Sequence, residues 1–318
     1  PTAPALPLET VAGGAVLRMD ALMKYGLFWA LTAILALSPA ARADLVFKDD
    51  SGRDVRLQAP ARRIITLAPH ATEILYAAGA GDRLVGTVEY SDYPPAAKKV
   101  LRVGSYSRID LEAVSALKPD LVIAWETGNP AGQLEKLKTL GLNVYLSQPN
   151  RMDDIAAQLT RFGELAGTET TANAAADLFR TRLAKLRKAN ADKPTVRVFY
   201  QIWKAPLMTV GGPQIISDAI RLCGGENVFA NLTQMSPTVS VEAVLDANPE
   251  AIVATGMGDA RPEWLDDWKK WARLTAVKRG NLFHVNPDIM QRHSPRILDG
   301  AEQLCAYLDV ARSRRPAK

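Results

Sequence analysis

From residue 63 to residue 290, short apolar runs rich in β-branched residues alternate with stretches of helical periodicity, and few folds accept that alternation. Strands are expected at 64–67, 84–88, 121–125 and 144–147, then at 196–201, 251–255 and 282–285. Apolar strands separated by helices signal parallel sheets covered by helices on their faces. A small hairpin precedes them at 45–57, its turn marked by Asp50-Ser51-Gly52-Arg53.

The longest helical pattern runs from Asp153 to about Ala189, with Ile155, Leu159, Phe162, Leu165, Phe179, Leu183 and Leu186 on or near one face. Asp153 and Asp154 at its start, and Arg182, Lys185, Arg187 and Lys188 near its end, suit the helix dipole. Gly167-Thr168 is a point where it breaks or bends, and Pro194 closes the segment. The expected fold is α/β: two lobes with mainly parallel central sheets flanked by helices, joined by one long connecting helix. The lobes are expected at 44–150 and 193–318, with the connection at 151–192. A stiff helical link predicts small movement between them.

The two halves echo each other. Residues 110–124 and 240–254 both open on a capping residue, Asp110 or Ser240, followed by a short helix. Glu112-Ala113-Val114 and Glu242-Ala243-Val244 come next, and Pro119 or Pro249 follows seven residues after each glutamate. An acidic residue and a strand complete both copies. A capping-box glutamate would stand one residue later, where Ala113 and Ala243 lie, so neither glutamate is needed for its cap. Two readings stay open: surface residues favoured by the dipole, or a matched pair of charges, one per lobe, presented to a partner.

At the N-terminus, Lys24 precedes an apolar run from Tyr25 to Leu37, then Pro39 and the small-x-small site Ala41-Arg42-Ala43. These features describe a secretory signal peptide cut after Ala43. The run is short against the roughly 20 residues of a membrane span. Met19 or Met23 is the expected start, with residues 1–18 upstream of the working protein. The mature chain is expected in the periplasm, and with no cysteine at the cleavage site, without a lipid anchor. The two cysteines, Cys223 and Cys305, are candidates for one disulfide or for two buried thiols.

Composition excludes several functions. The net charge of +5 comes from interleaved charges, with no basic stripe carrying aromatic partners, which argues against nucleic-acid binding. The three histidines, His70, His284 and His293, are too scattered for a first-row metal site. Gly-x-Ser-x-Gly, His-Glu-x-x-His and phosphate-binding Gly-Lys-Thr loops are absent, so no enzyme activity is expected.

Four blocks carry a family resemblance: Ser91-Asp92-Tyr93-Pro94-Pro95, Leu117 to Trp125, Cys223 to Phe229, and Ser294-Pro295-Arg296-Ile297. In order and spacing they resemble the periplasmic cobalamin-binding proteins of bacterial corrinoid importers, from about Arg63 to Leu308. The resemblance implies a solute-binding clamp, monomeric when free, that holds a corrinoid between its lobes. It implies docking on the permease subunits of an ABC importer through one glutamate per lobe, and Glu112 and Glu242 fall at those positions. It also implies a disulfide between Cys223 and Cys305. No cofactor is expected, the corrinoid being cargo.

A corrin ring is broad, apolar on its faces and fringed by amides, so its binder needs aromatic plates and a few placed polar groups. Loops after the C-terminal ends of parallel strands line such clefts. Tyr90, Tyr106, Trp125, Trp203, Met208, Asp288 and Arg292 are the expected contacts. For each aromatic, plain packing is the alternative; Asp288 and Arg292 could instead pair with each other. Tyr106 stands where relatives carry Trp, Ser236 where the family pattern has Trp, Met208 where it has an aromatic, and His70 where it has a small residue. His70 is read as a cleft-wall residue, with cobalt ligation as the alternative. These departures bear on ligand identity, and an altered corrinoid is compatible with them. A haem or ferric-siderophore binder of the same fold is the rival reading.

Overall fold

The computed structural model describes Thr2 and residues 44–316 apart from 257 and 259. The expected signal peptide and cleavage site lie outside the described residues. Among the described residues, no helix is long and apolar enough to cross a membrane.

A hairpin of β1 (Leu45–Lys48) and β2 (Asp54–Leu57) opens the fold. The first lobe runs β3 (Ile64–Thr66), α1 (Pro69–Ala77), β4 (Leu84–Thr87), the pair β5 (Gly104–Ser105) and β6 (Arg108–Ile109), α2 (Leu111–Ala116), β7 (Leu121–Trp125), α3 (Ala131–Thr139) and β8 (Val144–Ser147). Helices α4 (Met152–Ala166) and α5 (Glu169–Asn190) follow. The second lobe runs β9 (Val196–Trp203), β10 (Met208–Thr209), α6 (Ile215–Leu222), β11 (Gly225–Asn227), α7 (Val241–Ala247), β12 (Ala251–Ala254), α8 (Thr275–Lys278), β13 (Leu282–His284), α9 (Pro287–Met290) and α10 (Ile297–Ser313).

The first sheet has the order β4-β3-β7-β8, all parallel. In the second, β12 lies between β9 and β13, again parallel. The other edge of β9 is shared by β11, parallel along 196–198, and β10, antiparallel near Trp203. The echoed segments occupy matching places. Each supplies an interior strand, β7 or β12, and the helix before it. Asp110 accepts from the Ala113 amide at 3.0 Å and Ser240 from the Ala243 amide at 3.1 Å, so both caps form as expected.

The helical pattern over 153–189 resolves into two helices, α4 and α5. Gly167 ends the first with φ +62°, and a Cβ there would lie 2.9 Å from Pro60. At the start of α4, Asp154 accepts from the amides of Asn150 (2.9 Å) and Arg151 (2.8 Å). The 22-residue α5 is about 33 Å long at 1.5 Å per residue. It reaches α10 through Arg182, bonded to Asp299 (2.8 Å) and Glu302 (3.0 Å). The Met152 amide bonds Asp218 on α6 at 2.9 Å. One apolar core continues across these helices from sheet to sheet, including Ile64, Leu121, Phe162, Phe179, Val198, Ala219 and Leu304.

Cys223, at the end of α6, and Cys305, on α10, form a buried disulfide closing 82 residues of separation. Constraining a loop of that length stabilises a fold by roughly 4 kcal/mol in the chain-entropy model.

Candidate functional site: a cleft between the lobes

Parallel strands deliver their C-terminal ends to one edge of each sheet, and the loops leaving those ends meet across a cleft of about 360 Å³. Pro69 and His70 follow β3, Tyr90 follows β4, and Trp125 ends β7. Tyr106 sits at the tip of the β5–β6 hairpin, an element too short to show as a pattern in the sequence. From the second lobe, Gly256 and Gly258 follow β12, while Pro287, Asp288, Gln291 and Arg292 follow β13. Five expected contacts, Tyr90, Tyr106, Trp125, Asp288 and Arg292, therefore share one cavity.

Trp203 and Met208 are not among the residues lining that cleft, contrary to expectation. The reason is strand length. β9 runs on to Trp203 instead of ending at Gln201, so Trp203 pairs with Met208 of β10 within the sheet.

Trp125 is anchored from behind. Its amide donates to Asn129 Oδ1 at 2.7 Å. Asn129 Nδ2 donates to the carbonyls of Leu67 (2.9 Å) and Tyr106 (2.8 Å), so one buried amide fixes three loops of the cleft. A Cβ on Gly128 would come within 1.9 Å of the indole, so only glycine lets the ring lie where it does. Nothing in the sequence marked Asn129, because its partners are distant in the chain.

Tyr90 is 61% exposed and holds φ +63°, a left-handed conformation that is costly without glycine. Its carbonyl accepts from Arg292 Nη1 at 2.6 Å, across the lobes. Arg292 also meets Asp92 (3.0 Å), Asp288 (2.9 Å) and Glu73 (3.6 Å). Asp288 and Arg292 thus do pair, and Arg292 enters the cleft with its charge already engaged.

Behind Arg292 lies Glu73, 3% exposed on α1. It accepts from Ser294 Oγ at 2.6 Å and from Arg296 Nε and Nη2 at 2.9 and 2.6 Å. The Arg296 guanidinium lies 3.9 Å above the Tyr93 ring. These bonds clasp the two lobes directly beside the cleft.

His70 is a wall residue, 4% exposed. Its ring meets Trp125 edge-on at 5.3 Å and His293 at 5.6 Å. Trp125 in turn lies 6.2 Å from both Tyr106 and His293, so the four rings form one cluster, of which His70, Tyr106 and Trp125 line the cleft and His293 is buried. His70 Nε2, Trp125 Nε1 and His293 Nδ1 are buried without a hydrogen-bond partner. Burial pushes His70 well below its ordinary range, and the neighbouring His293 and Arg292 add to the effect. Burial alone brings His293 from 6.5 to about 4.

Both imidazoles are therefore neutral when folded, whereas unfolded chains protonate them near pH 6.5. Between about pH 4 and 6.5 the unfolded state binds more protons, so stability rises with pH and is lost on acidification. His293 alone accounts for roughly 3 kcal/mol across that window. Urea unfolding of His293→Gln is expected to show a flatter stability–pH slope there than wild type; an unchanged slope would count against a neutral buried ring.

Residues 64–289 match the sequence pattern described as Periplasmic binding protein. The chain belongs to that family. It is 41% identical to the Vitamin B12-binding protein of Vibrio cholerae over 256 residues, which cover 80% of this chain and 92% of the relative. The Vitamin B12-binding protein of Yersinia pestis is 38% identical over 248 residues, 78% of this chain and 86% of that one. Among solved structures, the periplasmic Vitamin B12 binding protein BtuF of Vibrio cholerae superimposes with a TM-score of 0.74 at 41% identity. That match covers 80% of this chain and 98% of the other. The periplasmic heme-binding protein RhuT from Roseiflexus also superimposes, with a TM-score of 0.69 over 79% of this chain and 99% of its own. At 21% identity it shares the fold alone. The periplasmic binding protein family is one of binding proteins rather than enzymes.

Proposed function

We propose that this chain is a periplasmic solute-binding protein that captures cobalamin or a related corrinoid and delivers it to an ABC importer. The observation that carries this reading is the set of rings, Tyr90, Tyr106 and Trp125, lining one cleft with the second lobe opposite. They suit a broad, flat, apolar-faced guest. Relatives named for vitamin B12 binding, near 40% identity over most of the chain, support it. A haem or siderophore cargo is less suited, because anionic groups call for free cationic donors. Arg292, the basic residue lining the cleft, is occupied by Asp92, Asp288 and the Tyr90 carbonyl.

Within this reading, Tyr90, Tyr106 and Trp125 are plates, while Asp288 and Arg292 hold the rim. The lobes divide at 150 and 193, with α4 and α5 between. A signal peptide cleaved after Ala43 exports the chain, which works as a monomer and docks through Glu112 and Glu242. Calorimetric titration with cobalamin, cobinamide and haem tests the assignment; heat from haem alone would overturn it. Replacing Trp125 by Ala removes the central plate and is expected to weaken cobalamin binding by about 1–3 kcal/mol. Unchanged affinity would remove Trp125 from the site.

A further inference from the structure

The plate at Tyr106 stands on a hairpin too short to hold itself. Strands β5 and β6 have two residues each, joined through Tyr106 and Ser107, and an isolated pair of short strands is marginal in water. The Tyr106 ring is 41% exposed, so its own packing does little to fix it. Its place at the cleft is set by bonds from outside the hairpin.

Two side-chain carboxamides supply those bonds. At the tip, Asn129 Nδ2 donates to the Tyr106 carbonyl. At the base, Gln133, in the first turn of α3, takes hold of Ile109. Gln133 Oε1 accepts from the Ile109 amide at 3.0 Å, and Gln133 Nε2 donates to the Ile109 carbonyl at 3.0 Å. Ile109 pairs with Gly104, and the Asp110 amide donates to the Val103 carbonyl at 3.0 Å. The Gly104–Ile109 pair therefore lies between the hairpin's own bonds, with both Ile109 backbone groups turned outward. A carboxamide that meets the N–H and C=O of one residue acts as a neighbouring strand would. The Ile109 side chain, 3% exposed in the apolar core of the first lobe, anchors the end of β6. Gln133 sets the direction in which the hairpin leaves that anchor. Gln133 itself is not one of the described residues lining the cleft.

We infer that Gln133 is a positioning residue for ligand capture, which presets the Tyr106 plate so that the guest does not have to order the hairpin. The inference rests on the corrinoid reading and names a residue on which that site depends from outside the cleft. Presetting a binding element raises affinity by removing the cost of ordering from the binding step.

The test is calorimetric titration of cobalamin into wild type, Gln133→Ala, Tyr106→Ala and the double variant. Alanine is the strongest helix former, so α3 is preserved. Gln133→Ala is expected to weaken cobalamin about fivefold, the scale of one net hydrogen bond. In the Tyr106→Ala background, where the plate is gone, the same substitution is expected to change affinity by less than about twofold. Equal losses in both backgrounds would mean a general structural role and would overturn the inference. So would unchanged affinity in Gln133→Ala. Amide hydrogen exchange on wild type tests the same claim even if the variants fail to fold. The Ile109 amide is expected to be protected already in the ligand-free protein, and protection that appears only with cobalamin would overturn the inference. If wild type does not bind cobalamin, the corrinoid reading falls and takes this role with it; binding that Gln133→Ala leaves unchanged removes the role alone.

Discussion

Reversing both Glu112 and Glu242 to lysine is expected to leave cobalamin affinity unchanged and to drop uptake to the background of cells lacking the protein. The two glutamates hold the same position in the echoed segments, second in α2 and second in α7. Both are exposed, and neither makes an ion pair with another described residue. Their helices are capped by Asp110 and Ser240, so the substitutions remove no cap. Each reversal costs only a few tenths of a kcal/mol through the helix dipole. Folding and ligand capture are therefore preserved. In the proposed docking the importer would read two charges, one on each lobe, and a lysine against a basic partner surface repels where a glutamate attracts. Calorimetry on purified protein and radiolabelled uptake in a deletion strain separate the two effects. Normal uptake by the double variant would end the docking assignment.

The fold was largely legible because its main signals are local. Seven strands are expected, and all seven occur within about two residues of their expected limits, since strands of parallel sheets covered by helices on both faces are largely apolar. The caps of α2 and α7 follow from a single residue each. The pair β5–β6 and the short strands β10 and β11, which both pair with β9, carry no signal in the sequence because strands of two or three residues have no periodicity. The extension of β9 to Trp203 was missed for a related reason. Polar or bulky residues at a strand end do not reveal whether the chain turns or continues, and here β10 captures the last residues. Trp203 and Met208 were consequently placed in the cleft.

Long-range partners were the other blind spot. Glu73 reads as an ordinary glutamate in the first turns of α1, yet its partners lie more than 220 residues away. Asn129 reads as a turn residue before Pro130, and its tethering of Leu67 and Tyr106 needs the folded arrangement. The block around Ser294 and Arg296 was recognisable only as a family pattern. Its physical purpose, meeting Glu73 across the lobes, appears once α1 and the segment before α10 are side by side.

That clasp gives the second large prediction. Glu73→Ala is expected to destabilise the protein by about 3–5 kcal/mol, because it leaves Arg296 part-buried without its carboxylate and strips Ser294 of its acceptor. For a chain of this size that corresponds to a fall of roughly 10 °C in the unfolding midpoint. Arg292 retains Asp92 and Asp288, so the cleft side of the network survives and the loss is concentrated behind it. The double variant Glu73→Leu/Arg296→Leu removes both charges together. It is expected to recover part of the lost stability, since replacing a buried pair with apolar groups costs less than orphaning one member. Denaturant unfolding of Glu73→Leu, Arg296→Leu and the double variant completes the cycle. A Glu73→Ala protein within 1 kcal/mol of wild type would mean that the shared apolar core running through α4 and α5 holds the lobes together without the clasp.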